Sequence, residues 1–447
     1  MSFLLLGVFI VGYFFIALEH KYHIDKAATA LVTGTLCWAV LAFGLPELMP
    51  SLAQDAHGLE HQLLHHMQDI SSILFFLLGA MTIVELVDAH NGFSVITDKI
   101  TTRNKVKLLW IIAVLTFFFS AALDNLTTSI VMISLLRKLI DDKHTRWLFA
   151  GVVVISANAG GAWSPIGDIT TTMLWIGGQL TTGTIIQHLI LPSIVAMVVP
   201  LTILSFRVKG EVTSPKITDK DELSDPTSSF ERNLIFFLGV SGLLFVPVFK
   251  SLTHLPPFMG MMLSLGMLWV VTELLHHSKN VQVRKSLSVV GVLRKIDTAS
   301  VLFFLGILLA VSALQEAGQL VAAAAWLETT LADVYLINIA IGLFSAIVDN
   351  VPLVAASMGM YEVTAPGAGA WSDYFVQNGI FWQFLAYCAG TGGSTLIIGS
   401  AAGVAVMGLE RIDFMWYLKR ISLLALAGYL AGGAVYWMMF GPVFAGA

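Results

Sequence analysis

Charge is what this chain lacks. Of its 447 residues only 12% are Asp, Glu, Lys or Arg, 24 basic against 29 acidic, while 57% are hydrophobic; an ordinary soluble domain carries about 25% charge. A surface facing water needs charge to cover it, so a chain this long and this poor in ionisable residues turns most of its surface to lipid or to its own helices. The same scarcity excludes a nucleic-acid binder and a disordered chain, both of which depend on charge. Cysteine is also scarce: Cys37 and Cys388 each lie inside an apolar run, which gives neither a disulfide framework nor a metal-ligand spacing and reads as two small buried apolar residues. Nucleophile–base pairs, metal-ligand clusters and phosphate loops are missing from the apolar segments, so an enzyme is not expected, nor a cofactor.

What the chain has instead is long apolar runs. Segments of the length that crosses a hydrocarbon core fall at 2–18, 26–45, 70–89, 186–206, 233–249, 256–275, 298–316 and 417–440. The first has neither a basic leading stretch nor a small-residue cleavage pattern and is expected to be a spanning helix rather than a signal peptide. Four further regions are apolar but interrupted: 107–140 by Asp124-Asn125, 147–178 by Asn158-Ala159-Gly160-Gly161 and Ser164-Pro165, 333–362 by Asp349-Asn350-Val351-Pro352, and 374–408 by Gly390-Thr391-Gly392-Gly393.

The interruptions recur. Ser120-Ala121-Ala122-Leu123-Asp124-Asn125-Leu126 returns 225 residues later as Ser345-Ala346-Ile347-Val348-Asp349-Asn350-Val351. Gly160-Gly161 with Ile166-Gly167 returns as Gly392-Gly393 with Ile398-Gly399, and Ser72-Ile73-Leu74-Phe75-Phe76-Leu77 as Ser300-Val301-Leu302-Phe303-Phe304-Leu305. Three matches in one order at nearly one offset indicate a duplicated unit of half the chain. Its parts are residues 1–206 and 233–447, joined by a polar stretch at 207–232.

Basic residues then give the orientation. With each Asp-Asn segment a re-entrant hairpin and each Gly-interrupted segment a full crossing, either half crosses five times and the second is inverted. That topology puts every basic residue except Lys250 on the cytoplasmic side and the amino terminus in the periplasm. The expected fold class is an all-α polytopic membrane protein of two inverted-topology repeats, each with a re-entrant hairpin and a discontinuous helix.

Irregular backbone at membrane depth is tolerated only when buried in protein or lining a wet cavity, so the four interruptions are expected to converge. Inverted repeats with broken helices are the pattern of secondary transporters, which bind near the midplane. A carboxylate inside the membrane costs at least ~2.5–3.5 kcal/mol, so Asp124 and Asp349 at repeat-related tips are candidate cation or proton sites. Burial favours the protonated carboxyl and a bound cation the ionised one, a competition that amounts to exchange. The alternative is that both aspartates only cap the half-helices that follow. Asn125 and Asn350 add neutral oxygens, or merely tie the tips. Asp168, replaced by Ser400 in the second half, is either a third ligand or an N-cap. Ser120, Thr127, Ser156, Asn158, Ser345, Thr391 and Ser394 are further oxygen candidates for a hard cation, the hydroxyls having helix carbonyls as alternative partners. Glu85, with Asp88 one turn on, is a candidate for a proton path. Glu316 is expected at the opposite interface. His57, His61 and His65 read as a solvated loop helix, the alternative being a pH sensor or adventitious metal site.

These motifs resemble the NhaD-type sodium/proton antiporters of the ion transporter superfamily, which also holds arsenite permeases and divalent-anion/sodium symporters. The resemblance covers essentially the whole chain. It implies a homodimer with a scaffold from the early spans of each half (1–90 and 233–275) and transport elements (107–206 and 298–447) that move against it as an elevator. The symporters carry Ser where this chain has Asp at the hairpin tips, and two extra carboxylates repel a dianion. The reading reached from the sequence is therefore exchange of Na⁺ or Li⁺ for H⁺ across the bacterial inner membrane, with Na⁺ at Asp124, Asn125, Asp349 and Asn350. The alternative on the same fold is an anion permease for arsenite or a carboxylate.

Overall fold

A computed structural model describes residues 1–17, 19–22, 24–49, 57–213, 227–277, 279–367 and 369–444. Most of the joining stretch, 214–226, lies outside them, with Lys216 and Lys220. The principal helices of the first half are α1 (Ser2–Ala17), α2 (Lys26–Phe43), α3 (Gly58–Ala89), α4 (Lys105–Leu123), α5 (Asn125–Leu139), α6 (Lys143–Ala162), α7 (Ile169–Ile176) and α8 (Thr182–Arg207). Those of the second are α9 (Ser229–Thr253), α10 (Pro257–His276), α11 (Thr298–Glu316), α12 (Gln319–Leu331), α13 (Val334–Phe344), α14 (Asn350–Met360), α15 (Ile380–Gly392), α16 (Ala401–Glu410) and α17 (Leu423–Phe444). Among the described residues 8 helices are long and apolar enough to cross a membrane, and β structure is confined to two isolated bridges.

Seven of the eight expected spans are among these helices. The first expected span, α1, is a shorter apolar helix; Lys105–Leu123, expected as a hairpin arm, takes the eighth place; and the third span differs in length. The third span begins at Gly58 and has 32 residues, about 48 Å, against a hydrocarbon core of ~30 Å. The histidine-bearing stretch is thus the protruding first turns of α3 rather than a separate loop helix, and His57, His61 and His65 are exposed on it.

Two interruptions are shorter than expected: the first breaks at Ser164-Pro165 but not at the Asn158–Gly161 motif, and the second only from Gly393. Asn158-Ala159-Gly160-Gly161 is helical to Ala162, and the chain breaks at 163–168; Gly390-Thr391-Gly392 is helical, and the break follows at 393–400. The glycines serve close packing instead of ending the helix. A Cβ on Gly160 would lie 2.2 Å from the Phe117 carbonyl oxygen, and one on Gly392 2.1 Å from that of Gly342, so α6 lies hard against α4 and α15 against α13.

Asp124 both ends α4 and caps α5, whereas α13 ends at Phe344 and Asp349 only caps the start of α14; each break folds its segment back. Backbone bonds tie both ends of the α4–α5 segment to one short stretch after α8: Lys105 N–H donates to Gly210 O at 3.0 Å, Val212 N–H to Arg103 O at 2.8 Å and Asp141 N–H to Thr213 O at 2.8 Å. The ends of α13–α14 meet likewise on the first turn of α15, where Tyr335 stacks edge-on with Phe384 (5.5 Å) and Tyr361 with Phe381 (4.7 Å). Both segments are hairpins.

Packing repeats across the halves as the sequence does. Helix α2 lies on α11 and α10 on α3; α4 on α6 and α13 on α15; α5 on α16 and α7 on α14. Helices α8 and α17 run antiparallel. His188, Pro192 and Ala196 of α8 meet Phe440, Gly432 and Gly428 of α17 in reverse order. His66, early in α3, bonds Glu316 at the end of α11 at 2.8 Å, so Asp88 and Glu316 stand at opposite ends of the bundle.

Candidate functional site

The four half-helices that start at a break, α5, α7, α14 and α16, have N-caps whose side chains accept a backbone N–H: Asp124, Asp168, Asp349 and Ser400. Polar Asp and Ser do this well because the first N–H groups of a helix have no partner of their own. Asp168 and Ser400, one repeat apart, adopt almost the same backbone (φ −146°, ψ 142° and φ −147°, ψ 154°). Geometry is thus duplicated where chemistry is not.

Capping leaves oxygens to spare, and the middle of the molecule is built from them. Asp168 Oδ1 accepts the Thr170 N–H (2.8 Å) and hydroxyl (2.7 Å), while Oδ2 accepts the amide of Asn125 at 2.6 Å. The same amide donates to Asn158 Oδ1 at 3.1 Å. Asn158 in turn donates to Ser394 Oγ and Ser400 Oγ, both at 2.9 Å. One continuous chain of bonds therefore runs from a carboxylate of the first half to two hydroxyls of the second, and all five residues are buried. Both asparagine amides are orientated by the order of donors and acceptors. Asp168 is within Coulombic reach of both hairpin aspartates.

At the first tip Asp124 takes φ 79°, ψ 159°, a region used almost only by glycine and costing a side-chain-bearing residue about 1–3 kcal/mol. Its carboxylate holds the Thr127 N–H and hydroxyl, each at 2.8 Å. At the second tip Asp349 has an ordinary φ of −46°; it accepts the Val351 N–H at 3.4 Å and faces the ammonium of Lys26 at 3.6 Å. Asn350 is buried in the first turn of α14.

The remaining candidates divide. Ser120 donates to Ala157 O (2.5 Å), Ser345 to Gly342 O (2.8 Å) and Thr391 to Tyr387 O (2.6 Å), so these hydroxyls tie neighbouring backbone together. Buried Ser156, Thr128, Thr171 and Thr395 have hydroxyls with no bonding partner among the described residues. Glu85 is half-buried on α3 with Asp88 and Lys295 as its charged neighbours, outside the Asp168 cluster. Sequence reasoning did not name Thr170, although it follows a capping Asp at the usual spacing. Ser400 was named only as the counterpart of Asp168. Lys26 was counted as a loop charge, and no local pattern marks it otherwise.

The model of the citrate transporter family (CitMHS) matches residues 13–380. This chain belongs to that family. Within reach of it, sodium/proton antiporter 1 of Arabidopsis thaliana is 48% identical over 96% of this chain and 71% of its own length, and sodium/proton antiporter 2 of the same plant is 44% identical over 96% and 97%. The Na⁺/H⁺ antiporter NhaD of Alkalimonas amylolytica is 29% identical over 98% of this chain and 90% of its own. Among solved structures the YdaH transporter of Alcanivorax borkumensis, described as having an unusual topology, superposes with a TM-score of 0.56 at 11% identity, covering 92% of this chain and 98% of that one. This likeness shows the fold shared by a citrate-transporter-family chain and a distant transporter.

Proposed function

We propose that this CitMHS-family protein exchanges Na⁺ (or Li⁺) for H⁺, and that the exchange site is the cluster of Asp168, Asn125, Asn158, Ser394 and Ser400 with Asp124 and Asp349 beside it. The observation that carries the reading is the way the half-helix N-termini are filled. Such N-termini attract anions, yet three of the four here are already capped by the chain's own carboxylates. A citrate or other polyanion meets negative charge where it would need positive ends, whereas a small cation meets carboxylate, amide and hydroxyl oxygens. The antiporter relatives support the same choice.

The Asn125 amide supplies a mechanism. Its NH₂ group sits between Asp168 Oδ2 and Asn158 Oδ1, standing in for the positive charge of an ion. Turning that amide over brings its oxygen in and completes an oxygen-lined site together with Asp168, Asn158 and the two serines. A proton on the aspartate removes the negative charge that holds the ion, so ion and proton exclude each other. The resident groups suffice and no cofactor enters.

Alternating access in this reading is an elevator. The scaffold is α1, α2, α3, α9, α10 and α11; Thr298–Glu316 belongs with it because α11 packs on α2 and α3. The hairpins, broken helices, α8 and α17 form the transport body. The antiparallel run of α8 and α17 supports inverted repeats with re-entrant hairpins, and the basic loops support cytoplasmic placement of the 210–213 side in the bacterial inner membrane. A homodimer remains part of this reading by resemblance alone, since exposed apolar side chains such as Phe245, Met267 and Val270 on α9 and α10 equally face lipid.

Reconstitution tests the reading. Purified protein in liposomes with an internal pH dye and an imposed proton gradient should dissipate the gradient on addition of Na⁺ or Li⁺ and not of K⁺ or citrate. Asp124→Asn should abolish that response in protein that elutes as the wild type does on size exclusion. Uptake of citrate or arsenite with silence towards Na⁺ would assign the chain to anion transport instead.

A further inference from the structure

Most ion pairs between described side chains are closed hydrogen bonds or lie at the surface, and the buried ones join helices of the same body; Lys26 and Asp349 make a different kind, joining scaffold to hairpin. Arg137 and Arg146 bond Glu410 at 2.7 Å each, and Lys279 bonds Glu231 at 2.7 Å. Lys26 Nζ stands 3.6 Å from Asp349 Oδ2, beyond charge-assisted hydrogen-bond distance, with both side chains largely shielded (22% and 15% exposed). The ammonium lies over the Phe303 ring at 4.5 Å. Lys26 is also misplaced by local rules, because it opens α2, where the helix dipole disfavours a cation. By contrast Lys250 sits where a cation belongs, donating at 2.6 Å to the Trp175 carbonyl at the end of α7. Offsetting that placement are the Phe303 ring, the carboxylates of Glu19, Asp25 and Asp297 nearby and, across the boundary between scaffold and hairpin, the charge of Asp349.

Two small cavities flank the pair. One of about 50 Å³ is lined by Tyr13, Lys26 and Asp349, and the buried Tyr13 hydroxyl there has no bonding partner among the described residues. The other, about 200 Å³, brings Glu19, Asp25 and Asp297 to Lys26. Glu19 and Lys26 line both cavities, and the smaller one adds the Asp349 carboxylate and the Tyr13 hydroxyl.

Resting on the exchange reading above, we propose that Lys26 is a tethered counter-cation for Asp349: its ammonium occupies the second hairpin tip while no transported ion is there, and Na⁺ must displace it. The loose 3.6 Å contact is what makes displacement feasible. The first tip has no equivalent, since Pro257 opens the repeat-related helix α10, so the device acts on one tip only. Lys26 is a positioning and competing group in this scheme and never leaves the protein.

The test measures binding of ²²Na⁺ to the full-length purified chain at one fixed pH. Removing a competitor worth a weak ion pair should tighten Na⁺ in Lys26→Gln by about three- to fivefold, while Lys26→Arg stays near the wild type and Asp349→Asn in the Lys26→Gln background loses the gain. An unchanged or weaker affinity in folded Lys26→Gln overturns the proposal. Should Lys26→Gln not fold, the wild type serves: Na⁺, against choline at equal ionic strength, should raise the yield of reductive methylation at Lys26 by mass spectrometry, and equal yields overturn it. Wild-type protein that neither binds nor exchanges Na⁺ overturns the exchange reading itself; exchange intact with Lys26 indifferent to Na⁺ overturns this inference alone.

Discussion

The two hairpin tips share a sequence, Asp-Asn preceded by Ser-Ala, and differ in almost everything the fold does with it. The first tip is strained at Asp124 and wired, through Asn125, into a buried chain of polar groups. The second is relaxed at Asp349 and faces a single ammonium from another part of the chain. The same short sequence therefore meets different neighbours at the two tips: Asn125 bonds Asp168 at the first, and Asp349 faces Lys26 at the second. One acid next to an acid attracts a cation; one acid next to a lysine already has one.

This difference can be broken experimentally. The largest effect is expected from Asp168→Asn, which removes the charge around which the first tip is organised: Na⁺-driven proton exchange in liposomes should fall by about a hundredfold or more. Asn158→Ala cuts the link between Asn125 and the two serines of the second half, and a drop of about tenfold in exchange at subsaturating Na⁺ is expected, consistent with one or two buried bonds to polar partners. An unchanged rate would remove Asn158 from the site.

Stability separates the tips further. Gly167→Ala brings a Cβ to 2.6 Å from the Ser120 carbonyl oxygen and Gly399→Ala to 2.6 Å from that of Ser345. Both changes overpack the same junction, each by about 1–3 kcal/mol, so thermal unfolding in detergent should shift down comparably in the two variants. A large inequality would show that the halves are packed less alike than their backbones suggest. The smallest expected effect is the most discriminating. Asp124→Gly loses two capping bonds but relieves the positive φ, leaving stability within about 1 kcal/mol of the wild type, whereas Asp349→Gly relieves nothing and should cost about 1 kcal/mol. Equal losses would contradict the strain at Asp124.

Much of this was legible in the sequence because the relevant signals are long or repeated. Apolar length marks spans, Asp-Asn marks hairpin tips, and recurrence marks the duplication. Asp168 as both cap and ligand candidate was visible from its place after Pro165-Ile166-Gly167. What was not legible depends on neighbours distant in the chain. Gly160 and Gly392 read as breakers, since nothing local reveals that another helix's carbonyl presses on them. The long α3 absorbed the histidine stretch because helix, once nucleated, propagates through polar residues as readily as through apolar ones. Lys26 meets Asp349 across more than three hundred residues, a distance no spacing rule spans.

The short stretch Gly210–Thr213 has a mechanical consequence. By bonding to Arg103, Lys105 and Asp141 at once, it rivets both feet of the first hairpin to the tail of α8, so that these three strands of chain share one fate under load. A spin-label pair placed across that rivet should keep its separation in every state of a working cycle, so that a rearrangement on the amino-terminal side falls to the lead outside it, residues 90–102.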